Sequence, residues 1–108
     1  MKLLFVIIQS DDTKPLTQAL IKAGISVTRI SSTGGFLSDG NTTLMIGVQD
    51  EQLPDTLDTI KTHSRRREVI TMPTFGMPHG IDCTAVPVSV SVGGATVFVL
   101  NVDQAFRY

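Results

Sequence analysis

The feature that most constrains the fold is a continuous apolar run at residues 2–9, KLLFVIIQ. A run this rich in branched residues is typical of a strand buried on both faces, so it predicts the central strand of a sheet. It is too short to span a bilayer, and the polar residues QSDD follow it directly without a small-residue cleavage site. We therefore expect a cytoplasmic protein that is neither secreted nor inserted in a membrane.

Two later segments have helical spacing. Residues 10–24, SDDTKPLTQALIKAG, predict an amphipathic helix with Asp12 as its N-cap, Pro15 in its first turn and Gly24 as its stop. A second helix is predicted from Leu53 onwards, with the triple arginine of residues 65–67 at its far end. Positive charge suits the carboxyl end of a helix, so these arginines are interpreted as a solvated helix end rather than a phosphate-binding or partner-binding patch.

The other regular segments predict strands. Residues 25–33 and 42–50 are rich in β-branched side chains, and the glycine-bearing stretch between them is typical of a hairpin connection. Residues 67–72 predict a short strand, and alternating valines predict a half-exposed strand over 86–92. The run ATVFVL at residues 95–100 predicts a last strand buried on both sides.

This order of elements predicts an α+β fold in a single domain, residues 1–108, with the ferredoxin-like βαββαβ plan. An extra two-stranded excursion and a long loop precede the last core strand. In this plan two helices cover one face of an antiparallel sheet and leave the other face bare. Because apolar residues point both ways on the first and last strands, we expect further copies of the chain to cover the bare face.

Charge and reactive side chains restrict the function. A net charge of −1 offers no general field for a nucleic-acid polymer, so a small ligand at a local site is expected. Cys83 is the single cysteine and cannot form an intramolecular disulfide, and with His63 and His79 it gives too few soft ligands for a closed metal site. The paired acidic residues are adjacent in sequence and not placed for shared proton transfer, so no catalytic residue is predicted.

Two motifs together carry a resemblance to a known family. TGGFLSDGNTTLMIGV at residues 33–48 is followed by VSVSVGGATVFVL at residues 88–100. With these motifs, and over nearly its whole length, the chain resembles the PII-like signalling proteins that bind cyclic di-AMP, a bacterial second messenger. A short loop at residues 34–41 and a long one at 73–86 fit these proteins and differ from the loops of ordinary PII proteins.

The resemblance implies a ferredoxin-like homotrimer with nucleotide sites in the clefts between its subunits. It implies a receptor without catalysis, with cyclic di-AMP as ligand and no other cofactor. It also implies that mobile loops report the ligand to a downstream protein whose identity the sequence does not reveal.

Chemistry and resemblance together give the candidate ligand-binding residues. Phe36 can stack on an adenine face with Leu37 packed against it, although the same pair can also plug the core beneath the loop. Asn41 can read an adenine edge through its carboxamide, although an asparagine after Gly40 also suits a left-handed turn. Phe98 can wall the cleft or belong to an ordinary core. The other candidates are a strand hydroxyl and glycines that leave room for a ligand: Thr28, Gly35, Gly47, Gly93 and Gly94.

The chain departs from the family where positive charge is expected. Members use a polar and a basic residue just ahead of the second strand, where this chain has Gly24 and Ser26. Many members end in His-Gln-Phe, whereas this chain ends in Phe106-Arg107-Tyr108. We predict that Arg29 or Arg107 replaces the missing charge beside the ligand phosphates, because a guanidinium paired with phosphate is among the stronger polar contacts.

Two alternatives keep the same fold. One is a PII-type regulator that binds ATP, and the other is a trimer of the kind tied to divalent-metal tolerance. The loop lengths argue against the first, and the small number of soft ligands argues against the second.

Overall fold

The computed structural model describes residues 1–30, 40–71 and 87–108. Within these ranges the chain forms β1 (Lys2–Gln9), α1 (Ser10–Lys22), β2 (Val27–Ile30), β3 (Asn41–Val48), α2 (Leu53–Ser64), β4 (Arg67–Thr71), β5 (Val88–Val92) and β6 (Ala95–Asn101). A 3-10 turn at Asp50–Gln52 leads into α2. Apart from Gly40 and Asn41, the two loops predicted at 34–41 and 73–86 lie outside the described residues.

Four strands form one antiparallel sheet in the order β2-β3-β1-β6, and β4 pairs with β5 in a separate two-stranded sheet. The apolar run of β1 lies in the middle of the larger sheet, which confirms its predicted place. Two helices and an antiparallel sheet in this order are consistent with a ferredoxin-like fold. The β4–β5 hairpin between α2 and β6 is the predicted two-stranded excursion.

The core lies between the sheet and the helices. Alternate residues of β1 and β3 point to that side, because successive side chains of a strand face opposite ways. The buried apolar side chains of these two strands are Leu4, Val6, Ile8, Leu44, Ile46 and Val48, and they pack against Leu16, Leu20 and Ile60 of the helices.

Helix α1 begins earlier than the sequence predicted. Gln9 is its N-cap and Ser10 its first residue, since β1 runs directly into the helix without a loop. The prediction that Asp12 caps the helix is therefore wrong: Asp12 lies within the first turn and is buried. Pro15 is consequently the sixth helical residue, beyond the first turn in which it was predicted.

Helix α2 begins at Leu53 as predicted, but the triple arginine is not a uniform solvated helix end. The helix stops at Ser64, Arg65 is its C-cap, and Arg67 is the first residue of β4. Arg67 donates from Nη2 to Oδ1 of the buried Asp12 over 2.9 Å. The interpretation is thus wrong for Arg67, because the start of β4 turns its side chain back towards α1.

Strand β6 does not have the predicted burial. In the single chain Phe98 is 55% exposed, and Val99 and Leu100 are each 44% exposed. The physical reason is position: among the described strands β6 lies at the edge of the sheet and pairs with β1 alone. The prediction of a strand buried on both sides is therefore wrong for one chain by itself.

Candidate ligand-binding site

The sheet face opposite the helices, here called the open face, carries a row of apolar side chains. Phe5 pairs across the sheet with Met45 on one side and with Phe98 on the other. One pair further along, Leu3 lies between Gly47 and Leu100. Because cross-strand partners share a face, these side chains form one continuous apolar surface.

The register assigns two neighbouring candidates on β2 to opposite faces. Thr28 pairs with Met45 and therefore lies on the open face. Arg29 pairs with the buried Leu44 and therefore lies on the helix side. The structure thus separates Arg29 from the open-face candidates Thr28 and Phe98.

A cavity of about 570 Å³ gathers three of the candidates at the end of the open face where β1 stops. Asn41 and the Gly93-Gly94 turn line it together with Gln9, the last residue of β1. Asn41 is the first residue of β3, and among the described residues only glycines have positive φ. The left-handed-turn alternative for Asn41 is therefore wrong, and the residue is in extended backbone beside the cavity.

The two glycines of this turn have conformations that other residues rarely adopt, with φ of +83° at Gly93 and +91° at Gly94. A Cβ at Gly93 would also approach the backbone oxygen of Arg65 to 2.6 Å. The Gly93 N–H donates to Oε1 of Gln9 over 2.8 Å, and the Gly94 N–H donates to the Ser64 carbonyl. Both backbone donors already have partners in the chain, so this turn shapes the cavity rather than offering free amides to an anion.

Arg66 adds a positive charge to the cavity wall. Its Nε donates to Oγ of Ser91 on β5 over 2.7 Å, which fixes the plane of the guanidinium. Among the described residues no other partner accepts a hydrogen bond from Arg66. Its terminal nitrogens are thus available to an anionic ligand, and a guanidinium suits phosphate oxygens in a bidentate arrangement.

The neighbouring ion pair holds this region together. Arg67 reaches both carboxylate oxygens of Asp12, at 2.9 and 3.4 Å, and also donates to the Arg65 carbonyl over 3.2 Å. The hydrogen bond to Asp12 and the carboxylate charge raise the pKa of Arg67 above its already high ordinary value. A permanently charged Arg67 therefore connects the base of the β4–β5 hairpin to α1, beside the cavity.

Other candidates lie far from this cavity within one chain. Gly47 is six residues beyond Asn41 on β3, a distance of about 20 Å along a strand. Arg107 belongs to the exposed tail that leaves the sheet at the same end as Gly47, where Lys2 pairs with Asn101. The structure does not bring Gly47 or Arg107 together with Asn41.

The remaining candidates, Gly35, Phe36 and Leu37, fall outside the described residues. The stacking of Phe36 and Leu37 on a base therefore stays a prediction.

The whole chain, residues 1–108, matches the sequence model described as the cyclic-di-AMP receptor. The chain belongs to the cyclic-di-AMP receptor family. Membership supports a role for this receptor in cyclic di-AMP binding and signalling, and a receptor family indicates binding rather than catalysis. A crystal structure described as that of a functionally unknown protein from Pediococcus pentosaceus ATCC 25745 is similar at 41% identity. The match covers 99% of this chain and 96% of that chain, with a TM-score of 0.76.

Of the ten residues that line this receptor's cavity, sequence reasoning missed seven, among them Gln9, Arg66 and Ser91. The alternation of β5 does contain a signal for Ser91, because it places Ser89 and Ser91 on the face opposite the valines. The orientation of Arg66 had no comparable signal, since it depends on where α2 ends and how β5 returns beside it.

Neither helix described in the receptor is long and apolar enough to cross a membrane. Within residues 1–30, 40–71 and 87–108 there is also no group of three or more metal-ligating side chains. His63 lies within this part, with its Nδ1 2.9 Å from the Thr59 carbonyl, whereas His79 and Cys83 lie outside it.

Proposed function

We propose that this receptor binds cyclic di-AMP in clefts between the subunits of a homotrimer and passes the signal to a downstream protein without chemically changing the ligand. The proposal rests on family membership together with the cavity at the end of β1. We also propose that the protein acts in the cytoplasm.

The observation that carries the proposal is the combination of groups at this cavity. Asn41 supplies an adenine-edge reader and Arg66 supplies a phosphate-binding cation, with the Gly93-Gly94 turn between them. A cavity of about 570 Å³ lies within the range of small-molecule sites. A dinucleotide with two bases and two phosphates needs these two kinds of contact.

The positions of the other candidates favour a cleft between copies. Gly47 and the tail carrying Arg107 lie at one end of the sheet, and Asn41 lies at the other. A second copy can bring its own Gly47 end, and its Arg107, towards the cavity of the first. The same arrangement covers the open face. Burial of its exposed Phe98 and Leu100 would lower the free energy of the assembly.

The cavity also offers a route for the signal. Arg66 contacts Ser91 of the β4–β5 hairpin, and the hairpin joins the segment 72–86 at the ends of both its strands. A phosphate that draws Arg66 into the cavity changes its contact with Ser91. We propose that this change, passed along the hairpin to the loop predicted at residues 73–86, is what the downstream protein senses.

The first experiment is a calorimetric panel of cyclic di-AMP, cyclic di-GMP, ATP and AMP, with the assembly mass measured by native mass spectrometry. We expect a trimer that binds cyclic di-AMP at least tenfold more tightly than the other three nucleotides, because both bases must match. Preference for ATP would favour the PII-type regulator, and a trimer that binds only divalent metal would favour the metal-tolerance type. A monomer that ignores cyclic di-AMP would refute the proposal.

The second experiment removes the cation. Arg66→Ala is expected to weaken cyclic di-AMP binding about tenfold or more, since a hydrogen bond to a charged group contributes about 1.5–3 kcal/mol. Lys61→Ala, which removes an exposed charge from the last turn of α2, is the matched control and should leave the affinity unchanged.

Arg107→Ala and Arg29→Ala complete this series. A loss with Arg107→Ala would place the tail of a second copy at the phosphates. Unchanged binding in Arg66→Ala together with a loss in Arg29→Ala would move the phosphate site to the helix side of β2.

A further inference from the structure

A second cavity lies on the helix side of the sheet, between α1 and the edge strand β2. Its volume is about 390 Å³, and it shares no lining residue with the cavity at the end of β1. Its lining includes two cations, two hydroxyl-bearing side chains and two aliphatic side chains: Lys14, Arg29, Thr13, Thr17, Val27 and Leu44.

The two cations of this cavity have no counter-charge within the part of the chain that the structure describes. Neither Lys14 nor Arg29 forms an ion pair or hydrogen bond with any residue in the described ranges. Like charges that share one cavity repel each other unless an anion lies between them. The wall is therefore positively charged, while the chain as a whole has a net charge of −1.

A hydroxyl at the same cavity is also unpaired. The Oγ1 atom of Thr17 is buried and has no hydrogen-bond partner among the described residues. Native proteins rarely leave a buried hydroxyl without a partner, because it has lost its hydrogen bonds to water. A ligand oxygen would restore that hydrogen bond.

We propose that this cavity binds a small organic anion. Its carboxylate or phosphate group would lie between Lys14 and Arg29 and accept a hydrogen bond from Thr17. Its hydrocarbon part would lie against the partly buried Val27, with the core residue Leu44 beneath it. This site is separate from the cyclic di-AMP cleft and does not depend on it, because the two cavities have no lining residue in common.

The test is a titration of the full chain followed by amide and arginine Nε–Hε signals in two-dimensional NMR. Inorganic phosphate and succinate are the probes, and sodium chloride at matched ionic strength is the control. We expect saturable changes at Thr17 and Arg29 with at least one probe. Phosphate alone would identify a phosphate ester as the ligand class, and succinate would identify a carboxylic acid.

Matched variants separate a site from a general charge effect. Lys14→Ala and Arg29→Ala should each weaken probe binding at least tenfold. Lys22→Ala removes the same charge from the same helix outside the cavity and should change nothing. Changes that follow ionic strength alone, or that are equal in all three variants, would overturn the proposal.

Thr17→Val gives an independent reading because it replaces the hydroxyl by a methyl of similar size. Without a probe, the thermal midpoint should stay the same or rise, since no hydrogen bond is lost. Probe affinity should fall several-fold. A lower midpoint with unchanged affinity would contradict the role of the hydroxyl. Cyclic di-AMP titrated into the same samples reports on the other site, so failure of either proposal is visible separately.

Discussion

The two faces of the larger sheet are built by the same strands, yet one chain completes only one of them. On the helix side Leu4 and Leu44 are fully buried. On the open face Phe98 and Leu100 keep about half of their surface in water. The difference shows that the core uses every second residue of these strands and leaves the alternate residues exposed, so a change on one face can be made without touching the other.

The largest effect is expected when the same substitution, leucine to alanine, is made once in the core and once on the open face. Leu4→Ala should lower the free energy of unfolding by about 3 kcal/mol, because it leaves a cavity in the core. Leu100→Ala should lower it by less than about 1 kcal/mol in dilute protein, where the open face is already wet. Urea unfolding followed by circular dichroism measures both.

Protein concentration sharpens the same comparison. If copies cover the open face, the loss caused by Leu100→Ala grows as the concentration rises, because assembly stabilises the folded state by mass action. If Leu4→Ala and Leu100→Ala lowered the free energy of unfolding equally at low concentration, the two faces would not be independent.

The next largest effect concerns the connection of the β4–β5 hairpin to the helix side. Arg67→Ala leaves the buried carboxylate of Asp12 without its partner and should destabilise the chain measurably. The loss should be smaller than for a fully buried ion pair, because Arg67 is itself half exposed. Arg65→Ala is the control, and denaturant unfolding that gives equal losses for both would contradict the role of the pair.

A charge on the open face should break assembly without breaking the fold. Phe98→Glu is expected to raise the concentration at which subunits associate at least tenfold, because a carboxylate in an apolar interface must lose its water. Sedimentation velocity measures the association, and circular dichroism confirms the fold. An assembly unaffected by this change would show that the open face is not the interface.

The smallest effect is expected at Gly47. A Cβ there would lie 3.3 Å from the terminal methyl of Met1, a flexible side chain that can move aside. Gly47→Ala should therefore change the unfolding free energy by less than about 0.5 kcal/mol. Calorimetric loss of cyclic di-AMP affinity in this stable variant would place the ligand or a second copy against Gly47.

Much of the fold could be predicted from local patterns. The apolar run of β1 identified the central strand, and the spacing after Leu53 identified α2, because both patterns repeat with the period of the element. The antiparallel pairing of β2 with β3 followed from the glycine-bearing connection between them.

What the sequence did not reveal depended on neighbours distant in the chain. The role of Asp12 is set by Arg67, which is 55 positions later, and the exposure of β6 is set by its place at the sheet edge. For the site, Asn41 and the Gly93-Gly94 turn were predicted and do meet in one cavity. Arg66 joins them only because the turn into β4 directs it towards β5.

Thr28 and Arg29 are neighbours on strand β2, so their side chains lie on opposite faces of the sheet. A slip of β2 by one residue against β3 would exchange the two side chains across the sheet. The guanidinium would then leave the cavity between α1 and β2 and lie on the open face, while the hydroxyl would move to the helix side. The register of the four-residue strand β2 against β3 thus determines which face of the sheet holds the positive charge of Arg29.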